Sequence, residues 1–234
     1  MTAHLSCLLC AQKTDFKSII CENCRRRLPV NEPACSRCGV PVITLLDSDT
    51  ETICEDCFKE PPPFLSCFSP FLYQFPLNQL VSQMKYNSRP QLCKLLGQLL
   101  AERLQANFAA QQPWPELLIP IPMHPTKQRQ RGYNQSIYLA QVIGRSLKIP
   151  VAINGLKKIK LTEAQNSLDR SNRLRNLSNS LVVNPRFKNK LAHMGHVAIV
   201  DDVITTGATM YEASSILQAL GIPRVDIWAL ARTP

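Results

Sequence analysis

Apolar side chains recur at helical spacing in two stretches of the chain, one on each side of Pro90. The apolar face of the first stretch comprises Leu77, Leu80, Val81 and Met84. The apolar face of the second comprises Leu92, Leu95, Leu96, Leu99, Leu100 and Leu104. Intervals of three and four residues place such side chains on one side of an α-helix. The pattern therefore predicts two amphipathic helices that pack against a core.

Short continuous apolar runs predict buried strands in the rest of the chain. These runs are LLIPIPM at 117–123, HVAIV at 196–200, and Val225–Ala231. We expect a helix capped by Asn134 that reaches about Leu147, and another from Thr209 to Leu220. Apolar strands that alternate with helices predict an α/β domain with a parallel sheet flanked by helices.

The run EPPPF at 60–64 divides the chain into two parts of different composition. Consecutive prolines favour extended backbone and interrupt both helices and central strands. Eight of the ten cysteines precede this run. We therefore predict a small cysteine-rich module at 1–60 and a larger α/β domain at 61–234, each with a core of its own.

The composition is that of a chain that folds. Of its 234 residues, 45% are apolar and 19% are charged, which excludes the disordered class. No run approaches 18 apolar residues, and the start, MTAHLSCLLC, lacks the regions of a signal peptide. We expect a cytoplasmic protein with no membrane span.

The cysteines of the module form four C-x2-C pairs. The pairs are Cys7 with Cys10, Cys21 with Cys24, Cys35 with Cys38, and Cys54 with Cys57. A reducing cytosol keeps thiols from forming disulfides, so metal binding is the leading explanation. Two C-x2-C turns together supply the four thiolates of a closed structural zinc site. The sequence therefore predicts two structural Zn²⁺ ions.

The pairing of these four turns is less constrained than their number. The second turn of each half has the form C-E-x-C, which favours sequential pairing, but the spacing also allows an interleaved arrangement. A redox-active dithiol would need a βαβ context that the short, proline-rich flanks do not offer. The other two cysteines, Cys67 and Cys93, lie among apolar residues and are expected to be buried core thiols.

The positive charge is concentrated in one part of the chain. The formal net charge is +10, yet residues 1–60 are net −2, with seven Lys or Arg against nine acids. Residues 124–190 carry fourteen Lys or Arg against two acids, a net charge of +12. Such a segment either binds a polyanion or forms a solvated basic surface. Our candidates for contact with single-stranded DNA are Lys157, Lys158, Lys160, Arg170, Arg173 and Arg175.

The most informative stretch is VAIVDDVITTGAT at 197–209. A buried strand ends in Asp201 and Asp202, and a loop of small and hydroxyl residues then opens a helix. Backbone N–H groups of such a loop form an anion site together with the helix N-terminus. Two adjacent carboxylates can accept hydrogen bonds from the vicinal hydroxyls of a sugar or hold Mg²⁺. The alternative is a strand end whose acids only cap a helix.

This string resembles the 5-phosphoribosyl 1-pyrophosphate (PRPP) signature of type I phosphoribosyltransferases. IPIPMHPTKQRQRGYNQ at 119–135 and TEAQNSLDRSNRLRN at 162–176 resemble two further elements of the ComF family. That family, with its competence and GntX-like members, joins an N-terminal double zinc ribbon to a type I phosphoribosyltransferase domain. With the cysteine pairs, the resemblance covers nearly the whole chain.

The resemblance implies a PRPP site in which Asp201 and Asp202 are the catalytic acids that meet the ribose, together with Mg²⁺. The implied cradle of the 5′-phosphate is Thr205, Thr206, Gly207, Ala208 and Thr209. Arg129 and Arg131, expected on a polar loop, suit the pyrophosphate because guanidinium groups pair bidentately with phosphate oxygens.

Two further features could assist this site. His124 could contact the pyrophosphate, although a lone histidine is more often structural. The segment 162–176 fits a mobile lid over PRPP, and it equally fits a surface that binds the phosphates of a DNA strand.

Two functions are consistent with these features. The first is a ComF-type protein of DNA uptake and natural transformation that binds PRPP and handles single-stranded DNA, with other DNA-uptake or recombination proteins as partners. The alternative is an active phosphoribosyltransferase that transfers the phosphoribosyl group of PRPP to an acceptor. We favour the first, because binding of PRPP alone does not require a segment with a net charge of +12.

Overall fold

The computed structural model describes residues 5–14, 19–43, 52–86, 90–108, 113–160 and 179–234. Its strands are β1 (Leu5–Ser6), β2 (Lys13–Thr14), β3 (Ser66–Phe68), β4 (Phe71–Leu72), β5 (Leu117–Pro120), β6 (Leu156–Lys158), β7 (Leu181–Val183), β8 (His196–Ile204) and β9 (Arg224–Arg232). Its helices are α1 (Glu22–Arg26), α2 (Glu55–Lys59), α3 (Leu77–Tyr86), α4 (Pro90–Phe108), α5 (Pro125–Arg131), α6 (Gln135–Leu147), α7 (Pro185–Ala192) and α8 (Ala208–Ala219).

The larger sheet is parallel and has the strand order β3-β9-β8-β5. Along β8, Ala198 and Val200 face a core formed with α3, α4 and α6, whereas Val197 and Ile199 face a core formed with α8. Helices therefore cover both faces, which explains why apolar residues fill consecutive strand positions. The predicted fold class, a parallel sheet flanked by helices with a small N-terminal cysteine-rich module, is confirmed.

The helices predicted from periodicity and capping are present. α3 and α4 lie where the two apolar faces predict them, and Asn134 caps α6 because its side chain accepts a hydrogen bond from the N–H of Ser136. Strand β8, however, continues to Ile204 rather than ending at residue 200. It pairs with β9 as far as Ile204 and Arg232, so Asp201 and Asp202 lie within the strand.

The polar segment that we expected to be a loop is the short helix α5. Pro125 occupies its first turn, and the ring Nδ1 of His124 accepts a hydrogen bond from the N–H of Thr126 at 3.3 Å. Proline at the start of a helix is favourable because its missing N–H would have no intrahelical partner there. Gly132, with φ of +83°, ends the helix.

The cysteine-rich module does not have a wholly separate core, contrary to our expectation. Cys7, Ile20 and Leu28 are buried in the same cluster as the apolar faces of α3 and α4. The backbone N–H of Asn31 also donates to the carbonyl of Pro70 at 2.9 Å. The reason is that the first half of the module packs directly on these helices. A second cluster, formed by Cys35, Cys38 and Cys57, is distinct.

Candidate functional site

The carboxyl end of β8 and the loop after it form a site of the kind that binds phosphate. Gly207 precedes α8 with φ of +79°, a conformation that favours glycine. Among the described residues no side chain caps this helix, so no capping side chain occupies the N–H groups of its first turn. A depression of about 60 Å³ is lined by Asp201 and by residues 203–210. Backbone N–H groups at a helix N-terminus are donors of the kind that bind a phosphate group.

The two acids beside this loop are held by different partners. Asp201 Oδ1 accepts hydrogen bonds from Ser136 Oγ at 2.7 Å and from the N–H of Asp202 at 2.9 Å. Asp202 Oδ2 accepts from Gln135 Nε2 at 3.1 Å and lies 3.0 Å from Lys85 Nζ. Helix α6 thus orients both carboxylates through its first two residues. The sequence motif predicted only the cap at Asn134, not this role.

The electrostatics of the two acids are not equivalent. Burial raises the pKa of Asp201 to about 7, and the neighbouring charge of Asp202 adds to the effect. Burial alone would lower the pKa of Lys85, but the charges of Asp202 and Asp201 outweigh it and the pKa is raised. Lys85 is therefore a permanent cation at this site.

Lys85 is a site residue that the sequence reasoning missed. It lies on the last turn of α3. The apolar face of this helix predicts that it packs on the core, but does not predict which groups its polar side chains contact. The next residue, Tyr86, is exposed, and the guanidinium of Arg131 lies 5.5 Å from the centre of its ring. A Lys-Tyr pair at the end of an amphipathic helix is too common a pattern to indicate a site by itself.

The predicted arginines do not contact the acids in the described structure. Arg129 is exposed on α5, and Arg131 lies over Tyr86. Instead, His124, Lys127 and Lys158 line a cavity of about 110 Å³ together with Asp201. Lys158 is partly buried there, and its pKa is lowered by burial and by the charge of Lys127. Lysines thus surround the acid pair from two sides.

The candidate DNA-contacting residues fall into three groups. Lys157 and Lys160 are exposed on and next to β6, as a backbone-binding surface requires. Lys158 faces the cavity beside Asp201. Arg170, Arg173 and Arg175 lie outside the described residues, as does the whole predicted lid at 162–176.

The eight cysteines of the module form two clusters with sequential pairing. The first cluster is Cys7, Cys10, Cys21 and Cys24, and the second is Cys35, Cys38, Cys54 and Cys57. Within each cluster the four sulfur atoms all lie within 4.8 Å of one another. Tetrahedral zinc with Zn–S bonds of about 2.3 Å separates its sulfurs by about 3.8 Å. The residues therefore fit two structural Zn²⁺ ions, and the sequential pairing that the C-E-x-C turns favour is present.

The thiols of each cluster differ in acidity. Burial alone would raise the pKa of Cys7, but the backbone N–H of Cys21 and others donate to its sulfur and lower it to about 6. The side chain of Cys38 donates to Cys35, whose pKa is lowered to about 4. Burial and neighbouring thiols raise the pKa of Cys24 and Cys57 to about 12. Four thiolates therefore need a cation to coexist, which zinc supplies.

The remaining cysteines are core residues, as predicted. Cys67 and Cys93 are 7% and 1% exposed. Burial raises their pKa values to about 12 and about 11, so both are inert thiols.

Comparison with known proteins gives one family match and several full-length relatives. The family described as "Double zinc ribbon domain" matches residues 5–63. "Competence protein F" of Haemophilus influenzae is 33% identical over 219 residues, covering 92% of this chain and 91% of that protein. "DNA utilization protein YhgH" of Escherichia coli K12 is 31% identical over 216 residues, covering 92% and 90%. "Competence protein ComFC" of Bacillus subtilis is 23% identical over 238 residues, covering 93% and 90%.

Comparison with solved structures gives partial matches at low sequence identity. Glutamine PRPP amidotransferase from B. subtilis aligns with 62% of this chain and 29% of its own, at 19% identity and a TM-score of 0.39. Purine phosphoribosyltransferase from Pyrococcus horikoshii aligns with 62% of this chain and 75% of its own, at 19% identity and a TM-score of 0.34.

None of the described helices is both long and apolar enough to span a bilayer.

Proposed function

Because the chain belongs to the ComF family of competence proteins, we propose that it acts in DNA uptake, where it binds PRPP with Mg²⁺ and handles single-stranded DNA. The observation that carries the PRPP part is the end of β8. The two carboxylates of Asp201 and Asp202 lie there, next to a glycine-containing loop at the N-terminus of a helix. This arrangement matches a ligand that has phosphate and vicinal hydroxyls a few ångströms apart.

Each part of the site has a defined task in this proposal. The loop 205–209 binds the 5′-phosphate, and Asp201 and Asp202 accept hydrogen bonds from the ribose hydroxyls. Of the two oxygens of Asp201, only Oδ1 accepts a hydrogen bond from a described residue, which leaves Oδ2 for a hydroxyl or for Mg²⁺. When bound with PRPP, Mg²⁺ neutralises part of the pyrophosphate charge. Lys85 forms an ion pair with Asp202, with Nζ 3.0 Å from Oδ2.

The lysines beside the acids are the groups best placed to contact the pyrophosphate. Lys127 and Lys158 line the cavity next to Asp201, and their charges suit a ligand with about five negative charges. Arg129 and Arg131 lie on the neighbouring helix α5, and neither is among the residues that line this cavity. We therefore assign the first contact with pyrophosphate to the two lysines and keep the arginines as a second one.

Calorimetry with PRPP and Mg²⁺ tests this assignment. The variant Asp201→Asn/Asp202→Asn keeps size and polarity but removes both charges, and its affinity should fall at least tenfold, about 1.4 kcal/mol. The matched control Glu22→Gln/Glu55→Gln removes two exposed acids of the module and should bind as the wild type does. Equal affinity of the acid-pair variant and the wild type would reject the PRPP site.

The DNA part of the proposal is supported by the charge distribution and by the names of the relatives. Lys157 and Lys160 are exposed within the window of +12. Binding to a phosphate backbone releases counterions, so log affinity should fall with log salt by about 0.7 for each phosphate neutralised. A cysteine-rich module that is net −2 before metal binding is a weaker candidate for this contact.

A salt titration of the full chain with a single-stranded oligonucleotide tests the DNA contact. Replacing Lys157, Lys160, Arg170, Arg173 and Arg175 by Gln should reduce both the affinity and the salt slope. Lys158 is left in place because it lines the PRPP cavity. The comparison variant Arg26→Gln/Arg27→Gln removes exposed charges of the module. If it loses more affinity than the five-residue variant does, the module is the DNA site.

The second candidate function is phosphoribosyl transfer. The paired acids beside a phosphate loop favour it, because transfer needs a fixed ribose and a neutralised leaving group. Product analysis with labelled PRPP and candidate acceptors distinguishes the two: a phosphoribosylated product supports the transferase, and bound but intact PRPP supports a ligand role.

A further inference from the structure

An aromatic cavity lies at the amino ends of the sheet strands, opposite the candidate phosphate loop at 205–209. It has a volume of about 110 Å³ and opens at the amino ends of β8 and β9. Phe108, Trp114 and Trp228 line it, and the two tryptophan rings meet edge to face with their centres 6.0 Å apart. An apolar cavity of about 150 Å³ accommodates a benzene ring in another protein. This cavity is smaller, but it is open on one side, so a flat ring need not be wholly enclosed.

The polar wall of the cavity has an unused hydrogen-bonding atom. His196 is 7% exposed, and its Nε2 lies 2.7 Å from Asp226 Oδ2, which also receives the guanidinium of Arg224 at 3.1 Å. A neutral imidazole whose Nε2–H donates to a carboxylate presents Nδ1 as an acceptor. Among the described residues nothing hydrogen-bonds to His196 Nδ1, although the atom is buried. His196, which lines the cavity, therefore has an acceptor atom for which no described residue supplies a donor.

A second depression continues from the first between the cysteine-rich module and the α/β domain. It has a volume of about 480 Å³ and shares Phe108 and Arg224 with the aromatic cavity. Phe68 meets Phe108 edge to face, with ring centres 5.1 Å apart. Three of its polar atoms are buried without a partner within the part of the chain that the structure describes: Asn31 Oδ1, Ser36 Oγ and Ser69 Oγ. We call the two depressions together the aromatic groove.

The charges of the aromatic groove exclude recognition of a phosphate backbone alone. Arg37 and Arg224 are offset by Glu32 and Asp226, so the groove has no net positive charge. Its aromatic walls and unpaired polar atoms instead suit a flat, polar-edged ring. Such walls bind bases of single strands by stacking, which depends little on sequence.

We propose that the aromatic groove binds single-stranded nucleic acid by taking one base into the cavity of Trp114 and Trp228. An N–H group on the edge of that base donates to His196 Nδ1. Arg224, whose side chain is 42% exposed, contacts the adjoining phosphate. This inference rests on the proposed handling of single-stranded DNA and adds a base-binding site to the basic surface at 124–190, which binds only the backbone.

Intrinsic fluorescence provides a direct test, because the chain contains two tryptophans and both line this cavity. The zinc-loaded full chain is titrated with a dodecamer of deoxyadenylate and with an abasic dodecamer of equal charge. Fluorescence anisotropy of labelled strands measures binding independently. We expect saturable tryptophan quenching by the deoxyadenylate strand, and binding without quenching by the abasic strand.

The outcomes separate this inference from the proposed function. Binding of deoxyadenylate without quenching, or equal quenching by both strands, overturns the base site and leaves the DNA-handling role intact. No binding of either strand overturns both. A strand of purine deoxynucleotides that lack the 6-amino group should bind about tenfold more weakly, and equal binding would contradict the role of His196.

A variant with its control tests the stacking wall. Trp114→Leu retains an apolar side chain but removes the ring, and its affinity for the deoxyadenylate strand should fall about tenfold. Phe58→Leu makes a similar change at an aromatic residue that is 80% exposed and outside the groove, and its affinity should not change. Equal affinity of Trp114→Leu and the wild type would contradict the inference. If Trp114→Leu does not fold, the comparison of the two strands on the wild type still decides.

Discussion

Two adjacent acids of the candidate site act on stability in opposite directions. Asp201 has its pKa raised to about 7, from a usual 3.8, first by burial and then by the charge of Asp202. Asp202 instead lies 3.0 Å from the ammonium of Lys85 and accepts an amide hydrogen bond from Gln135. The ionised form of Asp201 therefore destabilises the fold. The same charge is needed for the ribose contact that we propose, so the site keeps it at a loss of stability.

Replacement of Asp201 should reveal this loss. The folded chain retains a proton on Asp201 between about pH 4 and pH 7 that the unfolded chain has lost, so stability falls as pH rises through this window. Asp201→Asn removes that dependence. We expect its melting temperature to match the wild type near pH 4 and to exceed it by at least about 2 °C at pH 8, where about 1 kcal/mol shifts a chain of this size by about 2–4 °C.

The neighbouring substitution is the control for this experiment. Asp202→Asn leaves Lys85 without its carboxylate partner and should lower the melting temperature at pH 8, by the equivalent of about 2 kcal/mol. Scanning calorimetry of both variants at several pH values measures the difference. A fall in the melting temperature of Asp201→Asn at pH 8 would show that its charge stabilises the fold.

At the scale of single elements, the start of α8 depends on one backbone conformation. Gly207 has φ of +79°, and a Cβ added there would meet nothing within 4 Å. Any effect of Gly207→Val therefore comes from backbone strain of on the order of 1–2 kcal/mol. Because the strained loop would turn its N–H groups away from the phosphate, we expect PRPP affinity to fall at least tenfold while the chain remains folded.

The other end of the same helix supplies a matched control. Gly221 has φ of +102° and, like Gly207, has open space around an added Cβ. Gly221→Val should destabilise the chain to a similar extent without changing PRPP affinity, because it lies far along α8 from the loop. If both variants lose affinity equally, general destabilisation rather than the loop conformation is responsible.

The elements also show what the sequence could predict. The helices α3 and α4 follow from the helical spacing of their apolar side chains, and β8 follows from a continuous apolar run that is buried on both faces of the sheet. The cap of α5 by His124 depends on a side-chain rotamer, and the reach of Lys85 to Asp202 depends on how α3 packs. Neither leaves a periodic signal. The candidate phosphate loop at 205–209 could be proposed from the sequence because all its parts are contiguous in the chain, whereas the aromatic groove joins residues that lie far apart.

At the scale of the whole molecule, the two cysteine clusters stabilise different parts. Cys7 of the first cluster is buried with the apolar faces of α3 and α4. The second cluster lies beside the phosphate loop: a cavity of about 460 Å³ is lined by Cys38 and Cys57 on one side and by Thr206 and Gly207 on the other. The first cluster therefore belongs to the main core, and the second borders the candidate PRPP site.

Arg232 connects the second cluster to the loop. Its Nε donates to the carbonyl of Cys38 at 3.4 Å, and its Nη1 donates to the carbonyl of Ile204 at 3.1 Å and to that of Thr205. Displacement of Cys38 on metal loss would thus reach the residue at which the phosphate loop begins. No comparable contact links the first cluster to the loop within the described ranges.

Loss of one zinc site should therefore have a different effect from loss of the other. Cys10→Ser removes a ligand of the first site and should lower the melting temperature of the entire chain by about 5 °C or more, because part of the main core loosens. Cys54→Ser removes a ligand of the second site. Compared with Cys10→Ser, it should cause the larger loss of PRPP affinity and the smaller fall in melting temperature.

Metal analysis should find two zinc ions in the wild type and one in each variant. The measurements are scanning calorimetry and PRPP calorimetry on the same samples. If both variants lose stability and affinity in the same proportion, the two zinc sites act as one unit and the link through Arg232 has no separate effect.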